Sequence, residues 1–171
     1  VLDDGTDTVE GRLGAIGDAA WCIREAGIDD DLLVAAADNL FPFRFRDFAA
    51  FAGEKGTDCI TCYRLDDAER LRRTGIVAVS EGGRVTRFEE KSARPWSDLA
   101  VPPVYLYRRE TLPRFEEYLA GGNNPDAPGN FIPWLLARRP VHAFRFNGVV
   151  MDIGTPRSYE EACRRMATSS S

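Results

Sequence analysis

Two aspartates each close an apolar run in this chain, and both are chemically able to hold a cation. Asp38 follows Leu32-Leu33-Val34-Ala35-Ala36-Ala37, six apolar residues after the acidic turn Asp29-Asp30-Asp31. Asp152 follows Val149-Val150-Met151, before Gly154-Thr155-Pro156 turns the chain. Where an apolar strand stops, its last side chains emerge at the carboxyl edge of the sheet, where open α/β folds bind their ligands. A carboxylate there is hydrated, hydrogen-bonded or bound to a cation, so each aspartate alone is either a turn cap or a metal ligand. The pair is worth more than either member. Two strand-end carboxylates can converge on one edge, and with phosphate oxygens they make a suitable Mg2+ site. A lysine adds to this. Of 22 basic residues only Lys55 and Lys91 are lysine, so surface charge is otherwise met by arginine and a lysine is informative where it occurs.

Other constellations carry less. Cys59-Ile60-Thr61-Cys62 has the spacing of a redox or zinc motif, but on a strand residues i and i+3 point to opposite faces, so the sulfurs share no ligand. Leu2-Asp3-Asp4-Gly5-Thr6 resembles the Asp-x-Asp-Gly-Thr of haloacid-dehalogenase-type phosphatases. In that register the nucleophile would be Leu2, which has no carboxylate, so the segment reads as a turn. His142, the only histidine, alternates with aromatic residues and has no serine or cysteine signature near it, which sets aside most acyl-transfer and histidine-metal chemistry.

The elements that must position these groups alternate. Leu13, Ile16, Ala19, Ala20 and Ile23 have helical spacing and end at Gly27, and the run from Leu32 reads as a strand buried on both faces in the middle of a sheet. Phe41, Phe43, Phe45, Phe48 and Phe51, with Arg44 and Arg46 between some of them, could stack on bases but read as packing, because the last three share a helix face. Strands are expected over residues 57–63, 76–79, 85–88, 101–107 and 141–146, with a hairpin through Ser80-Glu81-Gly82-Gly83-Arg84. Pro102 and Pro103 confine the start of the 101–107 strand to an edge or a bulge. Helices are expected over residues 67–72, 110–119, 130–138 and 158–167, with a Gly/Asn/Pro loop over 121–129 and a frayed end over 168–171. The pattern is α/β with a mixed sheet in one domain over residues 1–171.

Composition bounds the partners. With 171 residues, 44% of them hydrophobic, the chain can close a core, and a net charge of −5 argues against a surface that tracks nucleic acid. No apolar run approaches the roughly 18 residues of a membrane span, no secretion signal is evident, and the four cysteines form no dense disulfide pattern. A cytoplasmic location is expected.

Four blocks, taken in order, resemble a known family. They are Ala37-Asp38-Asn39; residues 74–79 with residues 83–91; residues 97–107; and residues 151–159, which reads Met-Asp-Ile-Gly-Thr-Pro-Arg-Ser-Tyr. In order and spacing they are similar to sugar-1-phosphate nucleotidyltransferases, also called nucleotide-sugar pyrophosphorylases. The resemblance implies a three-layer, Rossmann-like nucleotide-diphospho-sugar transferase fold with a mixed sheet. It implies Asp38 and Asp152 as ligands of Mg2+, Lys91 as the third member of the catalytic set, and Glu90 with Lys91 as the holder of the sugar phosphate. Gly75 and Val101 would line the sugar pocket, and Gly14, beside Leu13, the loop at the nucleotide base. The substrates would be a nucleoside triphosphate and a sugar 1-phosphate, giving a nucleotide sugar and pyrophosphate.

The chain departs from the family pattern at several points. No glycine-rich phosphate loop occurs, and the chain opens at Val1-Leu2-Asp3-Asp4 as if at the end of a strand. The expectation is therefore a family fold truncated at its N-terminus, not catalytically competent alone, with an exposed sheet edge that favours homo-oligomers. Ala37, Ser92, Pro102-Pro103 and Val150 replace residues common in the family, leaving the sugar open, and the base is open among thymidine, guanosine, cytidine and uridine. The alternative from another class is a non-catalytic module that senses a nucleotide sugar or pairs with a catalytic subunit.

Overall fold

The computed structural model describes residues 2–169. In chain order the elements are α1 (Gly14–Glu25), β1 (Leu32–Ala35), β2 (Asn39–Leu40), α2 (Phe45–Lys55), β3 (Asp58–Arg64), α3 (Ala68–Leu71), β4 (Gly75–Val79) and β5 (Val85–Glu90). They continue with β6 (Leu99–Val101), β7 (Val104–Tyr107), α4 (Pro113–Ala120), α5 (Phe131–Leu136), β8 (Val141–Arg145), β9 (Met151–Asp152) and α6 (Pro156–Ser169).

Seven strands form one sheet in the order β1-β7-β3-β6-β4-β5, with β8 on the free side of β3. The β3–β8 pair is parallel and the other pairs are antiparallel, so the sheet is mixed. Period-two alternation explains how it is covered on both faces. From β3, Cys59 packs with Phe48 and Ala52 of α2, whereas Ile60 and Cys62 pack with Ile16, Phe115, Phe131 and Leu135 from α1, α4 and α5. Helices therefore close both sides, giving three layers. The two thiols lie on opposite faces, unbridged, and burial pushes each up to about 11. The phenylalanines after Asn39 pack: Phe43 touches the rings of Phe41, Phe45, Phe48, Phe144 and Phe146.

The sequence places β1 in the middle of the sheet, and the structure corrects this. Among the described residues β1 is an edge strand, paired only with β7, and Leu33 is 40% exposed. Leu32 and Val34 face the core while Leu33 and Ala35 face out, because one face of this edge has no helix over it. Pro102 and Pro103 do not open an edge strand. They break the run into β6 and β7, which pair with successive parts of β3. A proline offers no N–H to a ladder, so the break falls where pairing is interrupted.

Candidate active site

A two-stranded ribbon outside the main sheet brings the distant aspartates together. β2 and β9 run antiparallel with Asn39 opposite Asp152, and the Ile153 amide donates to the Asp38 carbonyl at 2.8 Å. Burial fixes this pairing: Phe41, just after β2, and Val150, just before β9, enter the same apolar cluster as Tyr63, Ile76 and Phe146. The carboxylates face one spot. Asp152 Oδ1 and Asp38 Oδ2 lie 3.2 and 3.3 Å from where a Cβ on Gly154 would be, a space that glycine leaves open. Asp152 Oδ1 accepts the Gly154 amide at 2.7 Å and Asp38 Oδ1 accepts Asn39 Nδ2 at 2.7 Å, so both carboxyl groups are oriented. Among the described residues no group of three or more His, Cys, Asp or Glu side chains gathers as a metal cage. A cation held by this pair would draw its remaining oxygens from water or phosphate, as Mg2+ sites at phosphates do.

The main sheet lines up a second group. Gly75 of β4 is opposite Glu90 of β5 on one side and Val101 of β6 on the other, so the three form a row across adjacent strands. Directly opposed residues project to the same face. A Cβ on Gly75 would meet Glu90 Oε2 at 2.9 Å and the Phe88 ring at 2.6 Å, which is why the position is glycine. A Cβ on Gly129 would overlap the same Glu90 carboxylate. Glu90 is thus walled by two bare backbones, and burial raises its pKa above the ordinary 4.5, with the Lys91 charge opposing. The buried Tyr105 phenol is also raised, by burial first and then by the Glu90 charge. Such a carboxylate is poised to accept hydrogen bonds from ligand hydroxyls. Val101 is buried, and its carbonyl accepts the Thr74 hydroxyl at 3.0 Å.

Lys91 follows Glu90 at the end of β5, with its side chain exposed and its amide donating to the Thr74 carbonyl at 3.2 Å. Thr74 connects the two groups. It lines a cavity of about 360 Å3 with Asn39, Asp152, Pro102, Pro103, Arg70 and Arg73. An apolar groove of about 400 Å3 shares Pro103 with it and runs along β1 to Ala15, and a polar cavity of about 570 Å3 shares Ala15 and includes Gly14. Through these shared lining residues the three cavities follow one another from Gly14 to Asp152. Gly14 lies at the far end of the series, with φ +77° and the Pro125 carbonyl 2.8 Å from the position of a Cβ.

Five residues at the site were not singled out by the sequence: Arg70, Arg73, Thr74, Gly129 and Gly154. Arg70 Nη2 donates to the Val150 carbonyl at 3.3 Å, which ties α3 to the segment entering β9. Gly129 lay inside a Gly/Asn/Pro loop that carried a turn signal and nothing more, so only the fold reveals its contact with Glu90. Of the motifs set aside, the Asp3-Asp4-Gly5-Thr6 turn lends Asp4 and Thr6 to the wall of the polar cavity at Gly14, whereas Cys59, Cys62 and His142 line none of these three cavities. Asp3 and Asp4 accept backbone amides within their own turn, and His142 Nδ1 is 2.8 Å from Thr57 Oγ1.

Fold and geometry together define a three-layer α/β protein in which Asp38 and Asp152 converge at Gly154 and a cavity lined by Asp152, Arg70 and Arg73 opens beside them. The chain belongs to the nucleotidyl transferase family, whose family model matches residues 5–169. It is 36% identical over 138 residues to the glucose-1-phosphate adenylyltransferase of Thermomicrobium roseum, covering 77% of this chain and 31% of that protein. It is 33% identical over 138 residues to the glucose-1-phosphate adenylyltransferase of Thermotoga neapolitana, covering 77% of this chain and 32% of that protein. The chain thus spans about a third of the length of these curated relatives. Among solved structures it is similar to a Bacillus anthracis protein described as a glucose-1-phosphate thymidylyltransferase in complex with sucrose. The TM-score is 0.69 at 22% identity, over 95% of this chain and 61% of that one, a likeness of fold. The curated relatives are named for adenylyl transfer, whereas the sequence left the base open.

Proposed function

We propose that this chain carries the metal and sugar-phosphate part of an enzyme that transfers a nucleotidyl group from a nucleoside triphosphate to a sugar 1-phosphate, releasing pyrophosphate. The observation that carries the reading is the convergence of Asp38 and Asp152 beside Gly154, in a chain whose sheet also sets Glu90, Gly75 and Val101 in a row. Glucose 1-phosphate is the proposed acceptor and ATP the proposed donor, supported by the names of the relatives at 36% and 33% identity. Those relatives are enzymes, which favours catalysis over a sensing module.

In the reaction an oxygen of the sugar phosphate attacks the α-phosphorus as the bond to pyrophosphate breaks. The nucleophile is already an anion, so no general base is required and the protein's task is alignment and charge neutralisation. Asp38 and Asp152 would hold Mg2+, which when bound neutralises phosphate charge at the reacting centre. Lys91 places an ammonium beside the sugar phosphate, Glu90 accepts from sugar hydroxyls, and Gly75 lets the sugar approach the backbone while Val101 closes the pocket. Gly14 marks the end of the series of cavities taken by the nucleotide. Four unbridged cysteines fit a reducing, cytoplasmic setting.

The test is pyrophosphate release by the protein that contains this chain. Asp38→Asn and Asp152→Asn should each lower turnover by orders of magnitude while circular dichroism stays unchanged. Turnover equal to the parent in either variant removes the metal role.

A further inference from the structure

Among the described residues Lys91 is the one non-glycine residue with a left-handed backbone, at φ +50°. A residue with a Cβ resists that conformation and keeps it only where its surroundings over-determine it. Glycine would adopt it freely, yet the position carries one of the chain's two lysines.

The restraint is a knot of side chains around Glu89, one residue before Glu90. Trp96 Nε1 donates to Glu89 Oε2 at 2.6 Å and Arg87 Nη2 donates to the same oxygen at 3.3 Å, while the Ser92 hydroxyl, first among its neighbours, holds the Glu89 pKa below its ordinary value. The Arg87 guanidinium lies 4.0 Å from the centroid of the Trp96 ring. Farther along, the Ser97 hydroxyl donates to the Val77 carbonyl at 2.7 Å and fastens the end of the loop to β4. Ser92 is buried, whereas Lys91 is exposed. Residues 92 and 96 are therefore drawn back over strand β5, while the Lys91 amide is held from the other side by Thr74. A chain pinned at residues 89, 92 and 96 and at the Lys91 amide has little freedom left at residue 91.

We infer that Glu89, by tying Ser92 and Trp96 back to its strand, is a positioning residue that keeps Lys91 left-handed and so aims its ammonium at the phosphate of the sugar 1-phosphate. The inference rests on the sugar-phosphate role proposed above for Lys91. If the knot is undone, the backbone relaxes to a right-handed or extended form and the Cα–Cβ bond turns, carrying the ammonium off target. The strand pairing needs no change, because the knot is made by side chains on the face of β5 opposite Glu90, where Trp96 packs at the margin of the cluster that includes Tyr63 and Ile76.

Two variants open the knot and keep its bulk. Trp96→Phe keeps a ring under Arg87 and removes the N–H donor; Ser92→Ala removes the hydroxyl. The readouts are glucose 1-phosphate affinity by calorimetry and the Cα and Cβ chemical shifts of residue 91 by NMR, with Lys91→Gln as reference. Each variant is expected to weaken binding about tenfold, with the shifts of residue 91 leaving the left-handed range and the unfolding midpoint little moved. In the Lys91→Gln background the same changes should cause no further loss, an outcome that a merely structural role would not give. Unaltered shifts at residue 91 in both variants overturn the inference. So does full affinity in both beside weakened binding by Lys91→Gln, which leaves the sugar-phosphate role intact. Full affinity in Lys91→Gln instead overturns that role, and the inference falls with it.

Discussion

Glu90 is a charge held between two glycines, and its surroundings disfavour that charge. Burial is the larger effect, and Lys91 only partly offsets it, so the folded pKa lies above the ordinary 4.5. The folded state then keeps its proton to a higher pH than the unfolded chain does, and stability contributed below 4.5 is lost as pH rises through the folded value. Glu90→Gln cannot ionise. Thermal melts across pH should show the variant gaining on the parent as pH climbs past 4.5, with no such gain below it. The two glycines should respond differently to an added methyl. At Gly75 the obstruction is the Phe88 ring, a member of the main core cluster, and overpacking there should cost about 1–3 kcal/mol in Gly75→Ala. At Gly129 the obstruction is first the tip of Glu90, which can swing away. Gly129→Ala should therefore melt close to the parent but bind glucose 1-phosphate more weakly, as read by denaturation and calorimetry side by side.

At the scale of elements, β1 is both the support of Asp38 and an open edge of the sheet. One side of its backbone is unpaired, and the strand has no proline or lysine of the kind that protects natural edges. An apolar groove of about 400 Å3 runs beside it. The expected outcome is concentration-dependent self-association of this chain, and Leu33→Lys, at a position already 40% exposed, should suppress it in sedimentation velocity without lowering the melting temperature. The element types were legible because their signals are local. Helical spacing located α1, turn glycines located the β4–β5 hairpin, and β-branched and aromatic runs located β3 and β8. The location of β1 was not legible, since six apolar residues look the same to a reader whether or not a neighbour is paired along both sides. Nor was the division between β6 and β7, because Pro102-Pro103 announce a break without saying which strand each half will pair with.

For the molecule as a whole, a short ribbon and the main sheet both reach one cavity, which Asn39 and Asp152 line from the ribbon and Thr74, Pro102 and Pro103 from the ends of β4 and β6. The sheet supplies Gly75, Glu90 and Val101 in a row, and the ribbon supplies Asp38 and Asp152. Residue type and order were enough to nominate Asp38 and Asp152 and to expect an α/β chain with a mixed sheet, because strand ends and apolar periodicity are written along the chain, and the resemblance to a family added Glu90 and Lys91. Contacts across it are not. Gly129 lies far in sequence from the carboxylate it walls, Arg70 and Arg73 read as ordinary surface charge, and the left-handed Lys91 follows from bonds that Glu89 makes to residues three and seven places on. The sequence by itself therefore determined which groups were available and in what order. Tertiary structure alone decided which of them face one another, because that depends on where a strand finds its partner and which face the core buries.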